Sequence, residues 1–160
     1  MTSTPSAAHG FAIPYLRYHD APAAIDWLRL TFGFEVKSLI SNEDGSIEYA
    51  QLVYGQGMLI VTSVLHNDVD AYMVQPEQAR GVTQGVYLVT DEPDVLCERA
   101  KASGADVIID IREAPYGGRS FTCRDREGHL WSFGSFNPWR DKHKPAKTSG
   151  NGYATEGYTS

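Results

Sequence analysis

The chain has 160 residues, 42% of them hydrophobic and 21% charged, an ordinary composition for one globular domain. A chain of this length buries roughly 70% of the surface its unfolded form exposes, so its core needs neither disulfide nor structural metal. The formal net charge of −6 argues against nucleic acid or an anionic membrane as partner, and no apolar run reaches the roughly 18 residues of a membrane span.

The first ten residues, MTSTPSAAHG, lack the basic and apolar regions of a secretory signal, so this segment is expected to be disordered and the protein cytoplasmic. Cys97 and Cys123 show no CxxC spacing and are read as reduced, partly buried thiols.

Ile13 to Tyr18 predicts a short strand. Asp20 is then placed to cap a helix with Pro22 in its first turn, where the missing N–H costs nothing, and Gly33 ends it. Ala24, Ile25, Leu28 and Phe32 form its apolar stripe. Strands are predicted over 35–41, 47–54 and 58–64, with turn signals at Asn42–Gly45 and Tyr54–Gly57. Residues 65–81, polar and containing Pro76, read as a linker that is long for a compact domain, hence functional or mobile.

The same grammar then returns. Val86 to Thr90 predicts a strand, Asp91 a cap, and Pro93 a helix start. Val95, Leu96, Arg99 or Ala100, and Ser103 face the core, and Gly104 stops the helix. Strands over 106–111, 120–124 and 130–133 follow, with Asp125–Gly128 as a turn. Pro22 and Pro93, Gly33 and Gly104, and Gly57 and Gly128 all lie 71 residues apart. The chain therefore reads as a βαβββ unit written twice: modules 11–64 and 82–138 within one domain, 11–138, followed by a flexible tail, 139–160. A second reading of the tail has Trp139, Tyr153 and Tyr158 packing on a neighbouring subunit.

PYLRYHDAPAAIDWLRLTFGFEV in the first module and YGGRSFTCRDREGHLWSFG in the second carry a resemblance to the vicinal oxygen chelate superfamily of glyoxalases, extradiol dioxygenases and bleomycin-resistance proteins. The second stretch is similar to the closing hairpin of the bleomycin-resistance and PhnB-like branch. The resemblance implies an α+β fold in which two tandem βαβββ modules form a curled mixed sheet around a shared cavity. It also implies a divalent metal in active members, held by His or Gln early and Glu late in each module. Those positions fall here on Ile13, on Val61, on Gly85 or Gln84, and on Ser132. Isoleucine, valine and glycine offer no donor, and a neutral serine hydroxyl is a poor one, which leaves Gln84 as at most one weak ligand where about three are needed. No metal or other cofactor is therefore expected.

Alternation along the first strand sends Tyr15 and Arg17 into the cavity with Ile13, while Leu16 and Tyr18 pack under the helices. Arg17 is a handle for an anionic ligand or a rim arginine paired with an acid. Tyr49 and Gln51 are cavity candidates on the third strand. Arg119 stands at the repeat position of Glu48, as a polar pair at the cavity mouth or as two surface charges. Trp131 is a core or a ligand-stacking residue, and Tyr116, before two glycines, is an aromatic on a flap. His66 with Asp68 and Asp70 reads as a solvated loop, and His129 as a group that orients backbone. Tyr15, Arg17, Tyr49, Gln51, Tyr116, Arg119, Trp131 and Ser132 are thus the expected ligand-binding residues. The expected function is metal-independent binding of an aromatic or amphipathic small molecule by a homodimer, with a glyoxalase-like lyase or other enzyme of the superfamily as the alternative.

Overall fold

The computed structural model describes residues 9–143 together with Thr4 and Ala7; the rest of the N-terminal segment and all of 144–160, with Tyr153 and Tyr158, lie outside the described residues. The first module runs β1 (Tyr15–Tyr18), α1 (Ala21–Phe32), β2 (Glu35–Ser41), β3 (Ile47–Tyr54) and β4 (Gly57–Ser63). A 3-10 turn (Asp68–Ala71) and α2 (Pro76–Ala79) precede the second: β5 (Val86–Val89), α3 (Pro93–Ala102), β6 (Asp106–Glu113), β7 (Arg119–Arg124) and β8 (Leu130–Gly134).

Sheet order is β1-β4-β3-β2 in one module and β5-β8-β7-β6 in the other. The leading strand of each pairs parallel with the last, and the remaining pairs are antiparallel. The expected βαβββ unit is present twice, as two mixed sheets that do not close on each other.

Asp20 caps α1 by accepting the Ala23 N–H at 3.1 Å, and Gly33 ends the helix at φ 85°, a left-handed conformation that side chains disfavour. The start of α3 differs from expectation. Its cap is Glu92, with no side-chain hydrogen bond, and Asp91 takes no part. Val95 is half exposed because the buried line runs through Pro93, Leu96, Cys97 and Ala100, which leaves residue 95 turned about 100° from Leu96.

One core joins the modules through their helix faces. Phe32 packs against Phe133 at a tilt of 38° with centroids 4.4 Å apart and reaches Trp131 at 6.1 Å. Trp27 donates its indole N–H to the Ser103 carbonyl at the end of α3, 2.8 Å away. The opposite, open face of each sheet lies away from this shared core.

The 71-residue repeat slips by one between β4 and β8. Ala50 pairs with Val61, and Phe121 with Phe133, so β3 maps onto β7 with an offset of 71 residues and β4 onto β8 with 72. The extra residue sits in the second hairpin: four residues separate the paired Val53 and Met58, and five separate Arg124 and Leu130. A one-residue slip turns a side chain to the other face. Val61, expected as the partner of Ser132, is therefore a fully buried core residue, and Ile60 takes its place on the open face. By the same shift Ile13 corresponds to Gly85, not Gln84.

Residues 65–81 form a shaped strap. Asn67 accepts the Val69 N–H at 3.1 Å to cap the 3-10 turn, and Arg80 at φ 57° ends α2.

Candidate functional site

Tyr15 and Arg17 alternate with buried Leu16 and Tyr18, as the strand period requires. Arg17 is nevertheless only 2% exposed, and its guanidinium is taken by Asp70, which reaches over from the strap. Its carbonyl accepts the Gln75 Nε2–H at 2.8 Å and lies 2.8 Å from His129 Nε2, which must be the donor there. Of the two readings of Arg17, the structure shows the pairing with an acid, and the residue is buried as a tie between strap and sheet. Asp70, a linker acid that the sequence left in solvent, supplies its counter-charge.

The hydrogen bond from Arg17 holds the Asp70 carboxyl below its ordinary pKa. A depressed carboxylate contributes stability that is present above the unfolded value of about 3.9 and is lost as pH falls through the lower folded value. Arg17→Ala is therefore expected to lower the melting temperature at pH 7, to speed proteolysis within 65–75, and to remove an acid-unfolding component below about pH 4. An unchanged melting temperature with loss of anion binding instead would restore the handle.

The other open-face candidates are paired within their own sheets. Tyr15 Oη lies 3.4 Å from Thr62 Oγ1, and Gln51 donates Nε2–H to Tyr49 Oη at 3.0 Å. On the second sheet the Thr122 and Ser132 hydroxyls meet at 2.8 Å, and Tyr87 donates to the Phe136 carbonyl at 2.7 Å. Burial first, and Tyr116 second, push the Tyr87 phenol up to about 12.

Three of the expected residues are placed elsewhere. Tyr116 packs edge-on against Phe136 at 5.3 Å, so it is held at the end of the second sheet and does not stand free on a flap. Arg119 makes two hydrogen bonds, of 3.0 and 2.7 Å, to Asp94 on the surface, while Glu48 accepts from Asn42. Trp131 is fully buried in the core. The eight residues thus fall on two open faces, an edge, the surface and the core.

Trp131 points to a group that the sequence showed only as a turn. Asp125, 7% exposed, accepts from Tyr18 Oη at 2.7 Å and Trp131 Nε1 at 3.0 Å through Oδ2, and from the Glu127 and His129 amides at 3.0 Å through Oδ1. Glu127 in turn accepts the His19 and Asp20 amides at 2.7 and 3.0 Å. The turn of the second module thereby grips the start of α1 in the first. Burial and this carboxylate raise the Tyr18 phenol well above its ordinary pKa.

The donor set does not fit the metal that the resemblance implies. At the four corresponding positions stand Ile13, Ile60, Gly85 and Ser132, and the one hydroxyl among them is paired with Thr122. Among the described residues no three His, Cys, Asp or Glu side chains come together as a metal cluster.

Both thiols are buried. Burial pushes Cys123 up to about 12 and raises Cys97 as well. Neither is expected to react with Ellman's reagent in the native protein at pH 8, and both should react once urea unfolds it. Rapid modification of the native chain would contradict this burial.

A groove of about 540 Å³ lies at the seam of the two modules. Ile13–Leu16 of the first and Val82–Val86 of the second form its sides, with His129 and Leu130 beside them. Tyr72, Met73 and Val74 of the strap complete its wall. The sequence signal for it was this apolar triplet within an otherwise polar linker.

Residues 9–133 match the family model described as the Glyoxalase/Bleomycin resistance protein/Dioxygenase superfamily. Among solved structures, the chain is similar to TioX from Micromonospora sp. ML1, with 28% identity over 78% of this chain and 98% of that one and a TM-score of 0.56. Protein SA1046 from S. aureus aligns with 18% identity over 79% and 94% at a TM-score of 0.62. The fosfomycin resistance protein FosX from Listeria monocytogenes aligns with 16% identity over 81% and 95% at 0.57. At such identities the last two show likeness of fold alone. No curated protein matches the chain in sequence.

Proposed function

This chain belongs to the Glyoxalase/Bleomycin resistance protein/Dioxygenase superfamily, and from that footing we propose that it binds an aromatic or amphipathic small molecule without a metal. The donor set supports this reading more than any other observation. Two isoleucines, a glycine and a hydrogen-bonded serine hydroxyl occupy the four positions, and none of them is an effective ligand for zinc, nickel or iron. The Tyr15 hydroxyl, 3.4 Å from Thr62 Oγ1, gives the first sheet an uncharged polar group suited to orienting such a ligand.

Sequestration in the manner of the bleomycin-resistance and PhnB-like branch is the activity proposed, in the cytoplasm and as a homodimer. Exposed Val36, Leu39 and Ile40 on β2 support a partner there, since an apolar edge strand of this kind is normally covered. Light scattering is expected to give twice the 17.7 kDa of one chain. The test of binding is a thermal-shift panel of aromatic compounds on EDTA-dialysed protein. At least one compound should raise the melting temperature with no metal added. Stabilisation that needs restored manganese, nickel or zinc would overturn the reading.

A further inference from the structure

We propose that the seam groove beneath the strap is the binding site, and that it takes a neutral, flat, largely apolar molecule carrying a hydrogen-bonding group. The proposal rests on metal-free binding as read above and adds its place and the ligand's chemistry.

The groove's volume, about 540 Å³, is within the usual range for small-molecule sites. Among the described residues no Asp, Glu, Lys or Arg side chain lines it. The one imidazole among its described lining residues, His129, commits its Nε2–H to the Arg17 carbonyl. A charged ligand would therefore lose its hydration without meeting a counter-ion, and a neutral one would not.

The walls match such a molecule. Tyr72 is 88% exposed and Val74 57% exposed, on either side of Met73. Two exposed apolar side chains flanking a half-buried methionine at a groove wall are unusual unless something covers them. An aromatic face, a thioether and a branched methyl pair together suit a flat apolar surface. Thr83 and Gln84 at the groove make no side-chain hydrogen bond among the described residues, so they can receive the ligand's polar group.

The strap is fastened on both sides of this triplet. Asp70 is tied to the Arg17 guanidinium before it, and Gln75 to the Arg17 carbonyl after it. Between these ties only the Tyr72 and Met73 amides bond back, both to the Val69 carbonyl. The triplet is thus positioned over the seam while its side chains keep rotamer freedom to close on a ligand.

The experiment is a fluorescence titration of the full chain with N-phenyl-1-naphthylamine, a neutral aromatic probe, and with the anionic 1-anilinonaphthalene-8-sulfonate. Val82→Trp fills the groove from an exposed loop and Tyr72→Ala removes a wall; both sites are exposed, so circular dichroism should show folded variants. The expected result is saturable binding of the neutral probe, weakened about tenfold or more in each variant. Equal binding by wild type and both variants would overturn the groove while leaving metal-free binding intact. Preference for the anionic probe, or no binding of either by folded wild type, would overturn the ligand class and the groove with it. Groove-dependent binding abolished by EDTA would support the groove and contradict the metal-free reading on which it rests.

Discussion

Asp125→Ala is expected to lower the stability of the protein by about 3–5 kcal/mol, read as a fall in urea midpoint at unchanged m-value. The carboxylate is 7% exposed and accepts four hydrogen bonds, from Tyr18, Trp131 and the Glu127 and His129 amides. Alanine leaves the Tyr18 hydroxyl and the Trp131 indole without an acceptor, and both residues are almost wholly buried. Each orphaned buried donor costs roughly 1–3 kcal/mol, and bonds to a charged acceptor lie at the upper end. The turn that carries Glu127 to the start of α1 would loosen with it. Asp125→Asn, which keeps one acceptor oxygen and the same shape, should cost less than Asp125→Ala. A loss of under about 1 kcal/mol for Asp125→Ala would mean that water replaces the carboxylate and that the turn does not hold the modules together.

Phe32→Ala is expected to cost about 3–5 kcal/mol, the range for emptying a buried aromatic site. Phe32 is 2% exposed and its ring meets Trp27 at 5.2 Å, Phe133 at 4.4 Å and Trp131 at 6.1 Å. It belongs to the first module, and two of those three rings belong to the second. The cavity would therefore open at the contact between modules, where neither sheet can collapse inward without moving the other. Phe32→Leu should recover part of the loss by refilling volume. A thermal melt in which Phe32→Ala matches wild type would show that the shared core does not depend on this residue.

Much of the fold was legible because its signals are local. A cap at Asp20, a left-handed stop at Gly33 and alternation along β1 each follow from backbone chemistry within a few residues. The duplication was legible for the same reason, since prolines and glycines recur at one spacing. The slip between Val61 and Ile60 was not. It depends on a single extra residue in the β7–β8 hairpin, and glycine anchors on the turn give no sign of which flanking strand absorbs it.

The site was less legible, because its partners are distant in sequence. Arg17 and Asp70 are 53 residues apart, and Tyr18 and Asp125 are 107 apart. Alternation correctly aimed Arg17 away from the helices but said nothing of a strap folding over it. Trp131 and Arg119 each carried a second reading beside the site, as a core residue and a surface charge, and the structure gives them those places. The seam groove combines segments from both modules and the strap, and only the run Tyr72-Met73-Val74 hinted at it.

Native mass spectrometry of protein purified without chelator weighs the central claim most directly. Metal-independent binding predicts chains free of stoichiometric metal, together with an organic adduct that survives EDTA. One manganese, zinc, nickel or iron ion per chain, lost together with the adduct on chelation, would contradict it.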